Sequence, residues 1–517
     1  MKTDILILGG GLTGIYAAWE ILQNSDLRVD LLQWGGGASP YIHGFCLPLG
    51  EGDSEELLFS DSMASGYFQS RENLVRRLCR GAAELPDRFR ELGVTVDEEA
   101  GKPRLVKSLG SSVPRIAGIG NNTGPVMLST LRKQLLSSPR YREHKDLRAL
   151  ELIKSGGRVA GVRCYDKTAD AFRTLSAGLV ILATGGFGRL FPESTNSADI
   201  GGDGCAMAYL AGCKLTDMEF IQFEPSAAVW PEALAGKSII TTMFYEGAVL
   251  RGGDGERFMF RYYPEGECVP KDALSKAISR ELRRGNGTPH GGVWFDATAV
   301  PEAMWEGIYK PYRSRYLAHG IDMAKEPVEI APAAHTTCGG VLIDEHCRTG
   351  IAGLLACGEV TGGLHGANRL GGNAGLETMV FGPIAGQTAL SEELGLTELE
   401  EDLRPNLPSD LDILPMRREL QKLLREDLGV IRTEPELREG IAKVDSLLSR
   451  LGEHRGCYEK HRLYNDLLTS RLALVSALER TESCGCHTRE DSRETADTYR
   501  IIVQKTEGRF TLYKESV

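Results

Sequence analysis

Asp4-Ile5-Leu6-Ile7-Leu8-Gly9-Gly10-Gly11-Leu12-Thr13-Gly14 stands at the start of the chain and decides its fold. Ile5–Leu8 is a short apolar run of the kind that forms a strand covered on both faces. It passes directly into glycines at 9, 11 and 14. A helical pattern follows over Ile15–Leu22, and a second strand pattern over Leu27–Leu32. In this strand–helix–strand context the glycine spacing predicts dinucleotide binding. Gly9 makes the turn, Gly11 lets the backbone approach a pyrophosphate, and Gly14 lets helix and strand pack closely. The helix N-terminus offers the phosphates N–H donors and a partial positive charge. The position after the second strand usually holds an acid for the ribose hydroxyls. Here it is Gln33, whose amide oxygen still accepts a hydrogen bond.

Outward from this unit, 517 residues are too many for one simple core and predict two or three domains. The net charge of −11 argues against non-specific nucleic-acid binding, which needs a basic footprint. The 12 cysteines include no C-x-x-C pair, so no zinc or iron–sulfur site held by this chain alone is expected, and no metal. Reduced thiols in a cytoplasmic enzyme are the simple reading. No apolar run approaches the about 20 residues that span a bilayer, and no signal peptide precedes the first strand, so no membrane insertion is expected.

Later segments choose between cofactors. Leu179–Leu182 followed by Ala183-Thr184-Gly185-Gly186 is a buried strand ending in a turn like the one that returns the chain to the dinucleotide in two-domain flavoproteins. Ile351–Glu359 resembles the strand that closes the same FAD site near the ribityl chain. Gly362–Asn373, with its His365-Gly366-Ala367-Asn368-Arg369 core, resembles the fumarate reductase/succinate dehydrogenase flavoprotein family, which includes L-aspartate oxidase. So do Ser194-Thr195-Asn196 with Gly202-Asp203-Gly204, Asp217–Phe223, Asp254–Met259, His335–Gly340 and Arg480–Asp491, in family order over nearly the whole chain.

The resemblance implies an α/β fold: a Rossmann-like FAD-binding domain over 1–217 and 341–395, an inserted α+β capping domain over 218–340, and a C-terminal helical domain over 411–517. The acidic stretch 394–410 reads as a linker. Apolar residues from Leu463 to Leu478 recur at three- and four-residue steps, predicting a helix that packs on the FAD domain or within a bundle. The resemblance places Gly9, Gly11, Gly14, Gln33, Ser39, Thr184, Gly185, Gly186, Asp203, Glu359 and Asn373 on FAD. It implies hydride exchange between the flavin and a carbon beside a substrate carboxylate, and leaves room for an electron-transfer partner protein.

In the family a His and an Arg clamp the substrate, matched here by His335 and Arg369. Three other positions depart. Glu224 stands where the family usually has His, and Tyr245 where it has Thr. Lys271, before Asp272, stands where it has a proton-donating Arg. Lys271 is therefore the expected proton donor, with Glu224 and Tyr245 in the substrate site. A bare Glu224 would repel the second carboxylate of fumarate by about 4 kcal/mol at ~4 Å. A monocarboxylate ending in an amine, amide, hydroxyl or ring is then the expected substrate, unless Glu224 is protonated or paired with Lys271. The alternatives are an amine oxidation like that of L-aspartate oxidase, or a flavin-carrying electron-transfer protein that has lost catalysis. Respiratory members link FAD covalently to a His beside a Ser; no His adjoins Ser39, and His43 is displaced, so FAD is expected to be non-covalent.

Overall fold

The computed structural model describes residues 2–517 apart from 121, 396, 401 and 493–497. Its main sheet is built around Lys2–Leu8. That strand pairs in parallel with Val29–Leu32 on one side and with the second half of Ala171–Leu182 on the other. Tyr141–His144 and Leu354–Ala356 extend the parallel set at either end. Ile5–Leu8 are uniformly apolar because both faces of this sheet are covered, and none is more than 1% exposed. Ala171–Leu182 serves two neighbours in turn. Its first half is antiparallel to Arg158–Asp166, and its second half is parallel to Lys2–Leu8. The glycine-rich turns after Leu8 and Leu182 therefore meet at the same end of the sheet, where ligands of open α/β sheets bind.

Between the two parts of this domain lies an antiparallel cap sheet ordered Ile221–Ala228, Val328–Thr337, Val293–Asp296, Val249–Arg251. It has its own core, containing Leu250, Phe258, Trp305 and Tyr316. Helix Lys271–Arg283 packs on its first two strands through Ala273, Leu274, Ala277 and Ile278, a spacing that puts them on one face. Leu274 and Ile278 are fully buried, each contributing about 2 kcal/mol relative to exposure. The helix begins at Lys271, so its first residue reaches the cap edge that faces the main sheet's glycine turns.

Helices Ile413–Asp427, Glu434–Leu451 and Tyr458–Glu479 follow. Leu463, Leu467, Leu472 and Leu474 of the last are fully buried in the same core as the main sheet, so the stripe packs inward. The expected helical domain does not run to the end. Tyr499–Thr506 and Arg509–Ser516 form a hairpin that joins Leu215–Thr216, Gly340–Leu342 and Thr361–Gly362 in a five-stranded sheet. The β-branched run Ile501-Ile502-Val503 and the left-handed pair Glu507-Gly508 (φ 51° and 80°) are the physical reason. Residues 493–497 of the expected helical domain lie outside the described residues. The linker lies along the main sheet, with Arg404–Pro405 paired to Ala171–Phe172. Among the described residues no helix is long and apolar enough to cross a membrane.

Candidate active site

A cavity of about 960 Å³ runs from the glycine turns to the cap. That is the upper end of the range for small-ligand clefts. Gly9, Gly11, Gln33, Ser39, Thr184, Gly185, Asp203 and Glu359 line its inner part. A Cβ on Gly9 would stand 2.1 Å from the Ala183 carbonyl, and one on Gly14 would stand 2.1 Å from the Gly9 carbonyl. Both glycines therefore set close backbone crossings, and Gly14 acts through packing rather than from the cavity wall. Gly186 is likewise behind the wall, where a Cβ would strike Thr337 Oγ1 at 2.2 Å. Asn373 begins helix Asn373–Ser391 and donates to Ser62 Oγ at 2.9 Å.

Other cofactor candidates are already tied into the frame. Ser39 Oγ accepts from Leu12 N at 2.8 Å, capping the nucleotide helix. Gln33 Oε1 accepts from Arg132 Nη2 at 2.6 Å, which leaves its second lone pair. Asp203 is ion-paired with Arg148 and accepts from Asn465 Nδ2 at 3.2 Å. Glu359 Oε1 accepts from Thr337 N at 3.1 Å, and burial pushes its carboxyl up to about 7. Thr184 Oγ1, Thr337 Oγ1 and Asn373 Oδ1 are buried with no hydrogen-bond partner among the described residues. Unpaired buried oxygens beside a glycine-lined cleft and an open helix N-terminus are what a polar dinucleotide would satisfy, so these residues fit FAD.

The outer part of the cavity contains Glu224, Lys271, His335 and Arg369. Glu224 and His335 lie on neighbouring cap strands. Gln222 pairs with Thr336 and Phe223 with Ala334, so His335 is the extra residue of a β-bulge. A bulge turns a side chain away from the regular pleat, as it does beside many active sites. Thr195 Oγ1 holds His335 Nδ1 at 2.7 Å, and Nε2 stands 3.8 Å from Glu224 Oε2. Burial and then the Lys271 ammonium push the His335 pKa down to about 3.

Lys271 Nζ forms an ion pair with Glu224 Oε2, and Ser226 Oγ donates to Glu224 Oε1 at 3.1 Å. Burial alone would raise the Glu224 carboxyl. Lys271, His335 and these hydrogen bonds outweigh it and hold the carboxyl below its ordinary value. The expectation of a bare, repelling Glu224 is therefore replaced by its stated exception, a neutral pair. Next in sequence, Asp272 Oδ2 accepts from Tyr67 OH at 2.7 Å, tying the start of the cap helix to the FAD domain.

Arg369 is 6% exposed, and its Nη1 donates only to the Leu370 carbonyl, at 3.2 Å. Its Nε has no partner, and among the described residues no carboxylate is ion-paired with it. Tyr245 is placed elsewhere. It is 39% exposed, its ring lies 5.9 Å from the Lys107 ammonium, and it does not line the cavity. The 3-10 turn Thr241–Glu246 instead presents Thr241 and Thr242 to the cavity. Sequence reasoning missed these two, and it missed Thr195 as the partner of His335. It also missed Tyr312 and Arg315 of helix Lys310–Leu317, which line the cap wall without belonging to any recognised motif. His43 lines the cavity too, and the charges acting on it are Lys271, Glu224 and Arg315.

Residues 4–374 match the family described as "FAD binding domain", and residues 417–515 match "Fumarate reductase flavoprotein C-term". The chain belongs to the fumarate reductase/succinate dehydrogenase flavoprotein family. It is 34% identical to one of the subunits of fumarate reductase (CoM/CoB) from Methanothermobacter marburgensis, over 98% of each chain. It is 31% identical to L-aspartate oxidase of Pseudomonas aeruginosa, over 94% of each. E. coli quinol fumarate reductase FrdA superposes with a TM-score of 0.90 at 26% identity, covering 100% of this chain and 97% of that one. As a member of this family the chain is an FAD-dependent oxidoreductase.

The His335 environment sets an expected pH dependence. The unfolded imidazole takes a proton near 6.5, whereas the folded one resists to about 3. This group therefore makes stability fall as pH drops through that window. In turnover, wild type and His335→Gln should differ in height but share one profile shape between about pH 5 and 8. An ionisation near 6.5 present in wild type and missing in the variant would show that His335 works charged.

Proposed function

We propose that the chain transfers hydride between its flavin and a carbon next to a substrate carboxylate, reducing an activated C=C bond or running the reverse. Arg369 carries this reading: it is a buried guanidinium on the cavity wall with no carboxylate partner among the described residues. Removing such a charge from water is expensive unless an anion joins it, and a carboxylate takes two parallel hydrogen bonds from the planar fork. FAD, when bound, supplies the two-electron chemistry. Arg369 holds the carboxylate and so fixes the alkene carbon beside it against the flavin, and Lys271 meets the negative charge that builds on the second alkene carbon. His335, neutral and fixed by Thr195, orients the substrate.

Lys271 is the proton donor in the reductive direction. Its Nζ proton goes to the second alkene carbon, and the π pair forms the new C–H bond. The neutral amine stays hydrogen-bonded to Glu224 and regains its proton through its solvent-facing side, 18% exposed. Because Lys271 is committed to Glu224, the second carboxylate of fumarate meets a neutral pair where the family pattern has cations. Fumarate is therefore proposed to be a poor substrate, although a 34% identical relative belongs by name to a fumarate reductase. That relative is one of several polypeptides in its enzyme, which supports an electron-transfer partner protein here as well.

The deciding experiment uses the holoenzyme with a reduced viologen dye and a panel of enoates that includes fumarate. Dye oxidation dependent on an enoate is expected. No turnover of any enoate, together with oxygen-dependent peroxide release from L-aspartate, would replace this reading with amine oxidation.

FAD should be non-covalent. Ser39 has no adjoining histidine, and His43 stands four positions further along the chain. Acid precipitation of the yellow protein should leave the colour in the supernatant. Colour retained in the pellet would make His43 a linkage.

A further inference from the structure

Helix Glu55–Ser65 ends at Gly66, and the two residues after it, Tyr67 and Phe68, both have a left-handed backbone, with φ 54° and 56°. Glycine takes that conformation freely, whereas a Cβ crowds the backbone there. Two successive aromatic residues persist in it only where their surroundings over-determine them, and such strain gathers at functional sites. Ending the helix does not explain them. The Gly66, Tyr67 and Phe68 amides donate to the Ser62, Ala64 and Met63 carbonyls at 3.0, 3.0 and 2.9 Å, contacts that glycine or asparagine makes equally well.

What this turn delivers is a hydroxyl. Tyr67 OH donates to Asp272 Oδ2 at 2.7 Å, and Asp272 is 4% exposed. A phenol keeps its proton well above neutral pH, so Tyr67 remains the donor. The turn itself is fixed to the segment that carries Arg369. Ala367 N donates to the Gly66 carbonyl at 3.0 Å, and Asn368 Nδ2 donates to Ser65 Oγ at 3.3 Å. The two backbones cross so closely that a Cβ on Gly366 would stand 2.5 Å from the Gly66 carbonyl oxygen. On the cap side, Asp272 follows Lys271 in the first turn of helix Lys271–Arg283. Ser275 Oγ donates to the Phe223 carbonyl at 3.1 Å, fixing that helix to the strand of Glu224. The far end is held separately, where Arg283 Nη2 donates to the Ile431 carbonyl at 2.8 Å.

The geometry points to Tyr67 as a positioning residue: its hydroxyl ties the start of the cap helix to the Arg369 segment, and so fixes Lys271 over a substrate held by Arg369. This rests on the reading of Arg369 as the carboxylate clamp and Lys271 as the proton donor. A proton donor works only within hydrogen-bond reach of the atom it serves, and a small misplacement costs much of the rate. Binding of the carboxylate at Arg369 needs no such tie.

Tyr67→Phe tests this in the holoenzyme, because it removes the hydroxyl and keeps the ring. Hydrogen exchange over residues 271–277 should rise about ten- to hundredfold, the range for a hydrogen bond to a charged group. Exchange in the last turn of the helix and FAD content should stay as in wild type. With a reduced viologen dye and the best enoate, kcat should fall about tenfold or more with KM little changed. The solvent deuterium isotope effect should grow as proton delivery becomes limiting. Asp272→Asn, whose amide oxygen still accepts from the phenol, should keep more of the rate than Asp272→Ala, and adding Tyr67→Phe to Asp272→Ala should cost nothing further. Exchange at the helix start equal to wild type would overturn the proposal. So would loss of FAD or loosening of the whole helix, either of which would make Tyr67 a plain structural residue. If the helix start loosens but wild type reduces no enoate, the tie stands and the proposed reaction fails. If wild type and Tyr67→Phe reduce enoates with the same kcat, the reaction stands and the role of Tyr67 fails.

Discussion

Arg369→Ala should keep its flavin and lose about 10²–10³-fold in kcat/KM on the best enoate, the loss typical of one fixed donor removed from a closed site. The flavin is held by other groups. Among the described residues the Arg369 side chain bonds only the Leu370 carbonyl, so its truncation breaks no ion pair. A buried cation without a counter-ion also burdens the substrate-free protein, so the variant's unfolding midpoint should not fall. Arg369→Lys should recover little, because an ammonium lacks the planar fork that fixes a carboxylate in two directions. The measurements are steady-state kinetics with a viologen donor, flavin content after gel filtration, and urea unfolding. Full activity in the alanine variant, or loss of flavin from it, would remove Arg369 from the substrate site.

Lys271→Met should destabilise the cap by about 3–5 kcal/mol at neutral pH and abolish turnover. Glu224 is 3% exposed, and without Lys271 it keeps the Ser226 hydroxyl and, 3.8 Å away, the His335 imidazole, but no permanent cation. An uncompensated buried carboxylate then either stays charged at high cost or takes up a proton. The signs follow from linkage. In wild type the folded carboxyl lies below its ordinary value. Its contribution is present above the unfolded pKa and lost as pH falls through the folded one. In Lys271→Met the order inverts, so the variant should gain stability relative to wild type as pH is lowered from about 8 to 5. The double variant Lys271→Met/Glu224→Gln should recover most of the stability and none of the activity. Hydrogen exchange in strand Ile221–Ala228 is a better probe than one global midpoint, because a multidomain chain need not unfold in a single step. A single variant as protected as wild type would show that the pair is not the cap's charge compensation, and an active double variant would show that Lys271 is not the proton donor.

Much of the fold was legible because it is written in local pattern. Ile5–Leu8 followed by the glycines at 9, 11 and 14 needs only neighbouring residues to become a strand, a tight turn and a helix. Apolar steps from Leu463 to Leu478 likewise announced a buried helix. The terminal hairpin was legible too, in Ile501–Val503 and Glu507-Gly508, but the helical period before it masked the change to a period of two. His335 and Arg369 were found because they sit in contiguous motifs, though no pattern showed that His335 would be the bulged residue.

The charge state of the site was different. The amino-acid sequence alone determined that Glu224, Lys271, Arg315 and Arg369 exist, and that the chain folds as a family flavoprotein. Tertiary structure decided that Lys271 neutralises Glu224 across 47 positions, that Arg369 has no carboxylate partner among the described residues, and that Tyr245 turns away from the cavity. Strands and turns are set by steric and hydrogen-bonding preferences of adjacent residues. An ion pair in a low-dielectric cleft is set by distances of a few ångströms between distant segments, and only the packed cap fixes those.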